Sequence, residues 1–151
     1  MSIVTEIIID APVAEVKEVF FDFPGHENWN PFFKSIKVVN ADKPDVGTRL
    51  SVYMQPENGS AMTFSPTVLE NSEKEFAWRG TLFFEFLATG RHYFQFIPVT
   101  ENGKEVTKLI QGEDFGGLIF YLMKGIIRDT EVSFNKLNVA LKEKVEGKPS
   151  S

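Results

Sequence analysis

The chain has 151 residues, 42% hydrophobic and 25% charged, with 15 Phe and no Cys, which suits one globular domain and excludes a disordered, fibrous or disulfide-stapled protein. A chain of about 150 residues buries roughly 68 to 70% of its unfolded surface, enough for a core without a metal or disulfide staple. The net charge of -5, with no Lys/Arg cluster interleaved with aromatics, argues against nucleic acid and anionic membrane partners.

The opening MSIVTEIIID lacks the basic-then-apolar pattern of a secretory signal, and the longest apolar run, Leu118 to Met123, is far too short to span a bilayer. We therefore expect a cytoplasmic protein with no transmembrane segment. No repeat or linker divides the chain, so residues 1–146 read as a single domain and residues 147–151 as a flexible tail.

Ile3 to Ile9 alternates as a strand, and Asp10-Ala11-Pro12 supplies a cap and a first-turn proline for a helix. Val13, Val16, Phe20 and Phe23 recur at helical spacing with Glu15, Lys17 and Glu18 opposite, so this helix is amphipathic and ends at Pro24-Gly25. A second short turn carries Trp29 and stops before Pro31.

From Lys34 to Phe115 the pattern is that of strands. Leu50, Val52 and Met54 share one face; Met62, Phe64, Pro66 and Val68 share the facing one. A three-residue loop, Glu57-Asn58-Gly59, with Gly left-handed, pairs Met54 with Met62, Val52 with Phe64 and Leu50 with Pro66; Asn58-Gly59-Ser60 is thus read as a turn rather than a glycosylation site. After a turn at Ser72 to Lys74, Phe76, Trp78, Gly80 and Leu82 continue the inner face.

The last hairpin turns at Asn102-Gly103. A two-residue turn sets Phe96 opposite Leu109, Phe94 opposite Gln111 and His92 opposite Glu113, with Arg91 and Asp114 paired outside; a three-residue loop, Glu101-Asn102-Gly103, sets His92 opposite Gly112 instead. Beyond Gly116-Gly117 the period becomes helical, with Ile119, Met123, Ile126 or Ile127, Thr130, Phe134, Leu137, Leu141 and Val145 on one stripe. Unbroken from Leu118 to Glu146, that helix is about 43 Å long and crosses a whole sheet; Gly125 would bend it or make room for a ligand. The order is α+β: a strand, two short helices, about six antiparallel strands and a long helix.

These residues resemble the START/Bet v 1-like (SRPBCC, helix-grip) superfamily, and within it the polyketide cyclase/dehydrase-like group. The resemblance covers nearly the whole chain. Its carriers are Ile9-Asp10-Ala11-Pro12, Trp29-Asn30-Pro31-Phe32, Val46-Gly47-Thr48, Trp78-Arg79-Gly80, Gly90 to Phe94, Thr107 and Gly112 to Leu118. It implies a helix-grip fold, a curved antiparallel sheet of six to seven strands wrapped around a long C-terminal helix with two short helices after the first strand. It also implies a mostly apolar cavity between sheet and helix, and several possible activities, since a fold does not name a function.

From facing direction, the expected ligand-binding residues are Trp29, Phe33, Val52, Met54, Phe64, Trp78, Phe94, Phe96, Leu109, Phe120, Met123 and Ile127. The same side chains would equally serve as plain core. The leading expectation is binding of a small hydrophobic ligand, lipid-like or polyketide/aromatic. The alternative is a cyclase, dehydratase or isomerase in which His92 is acid or base and Glu113 orients it, the two meeting within about 3.2 Å. A third reading, a lipid-presenting partner of another protein, calls for exposed apolar residues around Phe32 and Phe33. Two His and no Cys make a zinc site a poor fit, and with no P-loop, GxGxxG or GxSxG pattern we expect no cofactor and no metal. The oligomeric state has no signature in the sequence.

Overall fold

The computed structural model describes residues 2–81, 88–118 and 124–147. In chain order these form β1 (Ser2–Ile9), α1 (Val13–Phe21), a 3-10 helix (Phe23–Asn28), β2 (Phe33–Val39), β3 (Arg49–Met54), β4 (Met62–Phe64), β5 (Thr67–Asn71), β6 (Glu75–Thr81), β7 (Thr89–Glu101), β8 (Lys104–Gly116) and α2 (Lys124–Glu146). All strand pairs are antiparallel, in the order β1-β8-β7-β6-β5-β3-β2, with β4 also on β3. The sheet curves around α2, giving the α+β helix-grip arrangement.

Strands β4 and β5 occupy one strand position. Met54 faces Met62, Val52 faces Phe64 and, past a break, Arg49 faces Thr67. The predicted single strand is split at Ser65-Pro66 because Pro66 has no N–H for the ladder, although its carbonyl still accepts from Leu50 N–H at 2.9 Å. In the preceding loop the left-handed residue is Asn58 (φ 55), not Gly59; Asn tolerates that conformation through its short polar side chain.

The cap of α1 also differs from expectation. Pro12 takes the N-cap position, and Val13 N–H donates at 3.0 Å to the Glu105 carboxylate, reaching over from β8. Asp10 is used elsewhere, in an ion pair with Lys104 at 2.7 Å. Pro24-Gly25 do not end a helix but lie inside the 3-10 turn, which Trp29 closes. Val16 and Phe20 of α1 are buried as the pattern requires.

The β7–β8 turn is two residues long. Asn102 (φ 52) and Gly103 (φ 75) are both left-handed, the geometry that matches strand twist, and Glu101 stands opposite Lys104. That choice sets His92 opposite Glu113. The two outer residues Arg91 and Asp114 are register partners yet do not pair as expected: Arg91 reaches Glu75 at 2.6 Å and Glu70 at 3.3 Å, while Asp114 accepts from the Ser2 hydroxyl.

On α2, Phe134, Leu137 and Leu141 are buried, Val145 packs beside them, and Gly125 is exposed with open space around its Cβ position. Expectations for Leu82, Ile119, Phe120, Met123 and the tail from residue 148 fall outside the described residues. No described helix is long and apolar enough to cross a membrane.

Candidate functional site

Inner-face residues of the sheet divide into a filled end and an empty end. At the filled end Phe76, Phe94, Phe96 and Leu109 are buried under α1, whose Phe20 ring lies 4.7 Å from Phe94 and 5.3 Å from Phe96. Four residues along each strand from the Phe76–Phe94 pair the inner position is bare: Gly80 on β6 stands opposite Gly90 on β7. A period of two carries the aromatic ladder Phe76, Trp78 and Phe94, His92 straight into this glycine pair. The missing side chains leave a gap that α2 covers rather than fills.

That gap is a cavity of about 110 Å3, walled by Phe32 and Phe33 of the β2 approach, Met54, Pro56 and Phe64 of the β3–β4 hairpin, Trp78, Gly80 and Thr81 of β6, Ala88 just before β7, Thr89, Gly90 and His92 of β7, Glu113 and Phe115 of β8, and Thr130 and Phe134 of α2. Of the residues expected to bind a ligand, Phe33, Met54, Phe64 and Trp78 are in this wall, as are His92 and Glu113. Val52, Phe94, Phe96 and Leu109 lie instead in the packed core. Ile127 packs on the edge of that core. Trp29 sits outside, against His26 at a ring distance of 4.5 Å and beside a surface hollow with Val19 and Asp22. Phe120 and Met123 are among the residues not described.

Phe32 and Phe33 are both buried, so the exposed apolar patch that a lipid-presenting surface requires is not formed by them. A second histidine holds them there. His26 Nε2 donates to the Phe20 carbonyl at 2.6 Å, its Nδ1 accepts from Asn30 Nδ2 at 3.1 Å, and Asn30 Oδ1 accepts from the Phe32 and Phe33 N–H groups at 2.9 and 3.0 Å. Burial holds the pKa of His26 below the usual imidazole value, against the opposing pull of the Phe20 carbonyl and the Asp22 carboxylate. The neutral ring therefore orients the chain that delivers both phenylalanines to the cavity.

The ionisable part of the wall is His92 and Glu113. His92 is buried among Phe33, Trp78 and Phe134, whose rings lie 5.3, 5.3 and 4.6 Å away. Its Nδ1 is 3.3 Å from Glu113 Oε1, slightly beyond the expected separation and toward the long end of hydrogen bonding. Glu113 keeps 17% of its side chain exposed, so the pair joins a dry ring to a wetter carboxylate. Gly90 makes room for it, since a Cβ there would come within 3.0 Å of the carboxyl carbon.

On its other side His92 Nε2 meets Gln111 Oε1 at 2.9 Å, and Gln111 contacts Asn138 of α2. Neither Gln111 nor Asn138 stands out in the sequence as a site residue. The signal was present in principle, as polar residues on otherwise apolar faces, but Asn138 becomes adjacent only when α2 docks. Phe32, Phe115 and Phe134 also join the wall, a placement that depends on how the β2 approach, β8 and α2 come together and that periodicity does not report.

Comparison with known proteins decides the family. Residues 1–142 match the family described as polyketide cyclase / dehydrase and lipid transport. The chain belongs to this family. No functionally curated sequence matches it. Among solved structures, this polyketide cyclase/dehydrase family member is similar to the Zhui aromatase/cyclase of a Streptomyces species, with 13% identity over 97% of this chain and 93% of that one and a TM-score of 0.76. It is also similar to a START superfamily protein of Mycobacterium smegmatis, with 16% identity over 97% of each chain and a TM-score of 0.74. A third is norcoclaurine synthase of Thalictrum flavum, with 12% identity over 97% and 94% and a TM-score of 0.73. At such identities the likeness is one of fold.

Proposed function

We propose that this family member encloses a small hydrophobic ligand, lipid-like or aromatic and polyketide-like, between the sheet and α2. The observation that carries this reading is the glycine-made gap lined by Phe33, Met54, Phe64, Trp78 and Phe134. An apolar cavity of about 150 Å3 takes up benzene, so about 110 Å3 suits one ring or a short acyl segment of a ligand. Water exclusion by the aromatic wall contributes roughly 25 cal/mol per Å2 of apolar surface before ordering costs. A location in the cytoplasm belongs to the same proposal and is checked by cell fractionation.

Native mass spectrometry before and after organic extraction tests it. A stoichiometric apolar molecule that is released on extraction and rebinds supports the reading. An empty protein that also takes up none of a panel of planar aromatic and acyl compounds overturns it.

The His92–Glu113 pair at the wall favours a second reading, acid–base chemistry on the enclosed ligand. A ring nitrogen beside a carboxylate is the arrangement that moves a proton between two atoms of one substrate, as cyclisation, dehydration and isomerisation require. Turnover of the recovered ligand that is lost in both His92→Ala and Glu113→Gln supports this reading; turnover retained in both removes it.

A further inference from the structure

Behind His92, a chain of buried side chains crosses from β7 through β8 and α2 to β1. Gln111 Oε1 is 2.9 Å from His92 Nε2; Gln111 Nε2 is 3.1 Å from the Phe134 carbonyl and 2.7 Å from Asn138 Oδ1. Asn138 Nδ2 is 2.8 Å from Thr5 Oγ1, which is in turn 2.8 Å from the Gln111 carbonyl. Thr5, His92, Gln111 and Asn138 are all buried, and no buried side-chain N or O atom among the described residues lacks a partner.

Away from His92 this network terminates on two backbone carbonyls, those of Phe134 and Gln111, which accept and never donate. The direction of every bond follows. Thr5 has one hydroxyl proton and gives it to the Gln111 carbonyl, so its oxygen accepts from the Asn138 amide. Asn138 must then present its oxygen to Gln111. The Gln111 NH2 group donates to that oxygen and to the Phe134 carbonyl, which leaves the Gln111 oxygen facing His92. Only a proton on His92 Nε2 completes the set. Reversing Gln111 would bring its oxygen against the Phe134 carbonyl with no proton between them, an unsatisfied buried pair.

We propose that Gln111 and Asn138 are positioning residues that commit the His92 proton to Nε2 and so make Nδ1, on the Glu113 side, the atom that takes up and gives back a proton. This rests on the acid–base reading of the cavity. When the Glu113 carboxylate takes a proton from one atom of a bound molecule and shares it with Nδ1, the ring becomes an imidazolium held by two acceptors, Glu113 and Gln111. Return of that proton to another atom of the same molecule restores the neutral ring, and no co-reactant is consumed.

The test reads the ring directly, with no ligand and no turnover, so its failure is separable from failure of the acid–base reading. In long-range proton–nitrogen NMR of histidine-labelled protein, His92 should show a protonated, pyrrole-type Nε2 whatever the state of Nδ1. A pyrrole-type Nδ1 with a pyridine-type Nε2 overturns the proposal. In Gln111→Met, which keeps chain length but removes the acceptor, the proton should move at least partly to Nδ1; an unchanged Nε2–H form overturns the role of Gln111. Should that variant fail to fold, the wild-type spectrum decides alone, because either tautomer is legible there.

Discussion

Gly80 of β6 stands directly opposite Gly90 of β7, and this pair of absent side chains is what separates the cavity from the packed core beneath it. The two positions differ in what a methyl group would meet. At Gly80 a Cβ comes to 3.4 Å from the Phe64 ring, an ordinary contact, whereas at Gly90 it meets the Glu113 carboxyl at 3.0 Å. Gly80→Ala should therefore fold with stability unchanged or raised by about 0.4–1 kcal/mol, while weakening uptake of an aromatic probe. Thermal unfolding and fluorescence titration measure the two effects. Gly90→Ala should displace Glu113 and lengthen its contact with His92, visible as a changed His92 ring signal by NMR.

Core and wall should respond differently to truncation. Phe94→Ala removes a buried ring packed on Phe20 and His92 and should cost about 3–5 kcal/mol in urea unfolding. Met54→Ala, half-buried at the wall, should cost about 1–2 kcal/mol but reduce probe affinity more than Phe94→Ala does when both are compared at equal folded fraction. Equal effects on affinity would remove the distinction between wall and core.

His26 makes stability depend on pH. Its folded pKa lies below its unfolded value, so the unfolded chain binds the proton more readily. This contribution is complete above the unfolded value of about 6.5 and is lost as pH falls through the folded one. Urea midpoints should drop between about pH 7.5 and about pH 5.5, and His26→Gln should flatten that difference. A slope unchanged in His26→Gln would assign the effect to other groups.

The Asn102-Gly103 turn should be sensitive to side-chain bulk although it lies far along the strands from the cavity. Gly103 has φ 75, and a β-branched residue there meets backbone strain of roughly 1–2 kcal/mol. Gly103→Val should lose about that much in chemical unfolding, and Gly103→Asn much less. Inserting one residue between Asn102 and Gly103 should shift the hairpin and abolish the His92–Glu113 contact, read from the His92 ring nitrogens.

Much of this architecture was legible in the residues because it is written in local periodicity. Alternation every second residue marked the strands, the Met54–Met62 pairing followed from loop centring, and the 3.6-residue stripe of Phe134, Leu137 and Leu141 marked the inner face of α2. His92 and Glu113 were found as register partners of a hairpin, a relation only two strands wide, although its turn length remained open until both turn residues proved left-handed. What periodicity cannot report is distance between elements far apart in the chain. Facing direction makes Phe94 and Trp78 look alike, yet one is sealed under α1 and the other borders the gap, because α1 covers only one end of the sheet. Gln111, Asn138 and Thr5 become a single hydrogen-bonded chain only when α2 settles against β1 and β8, joining residues separated by up to 133 positions. The amino-acid sequence thus determined which face of each element turns inward, through side-chain alternation; the docking of helices on the sheet decided which inward residues touch one another and which surround empty space.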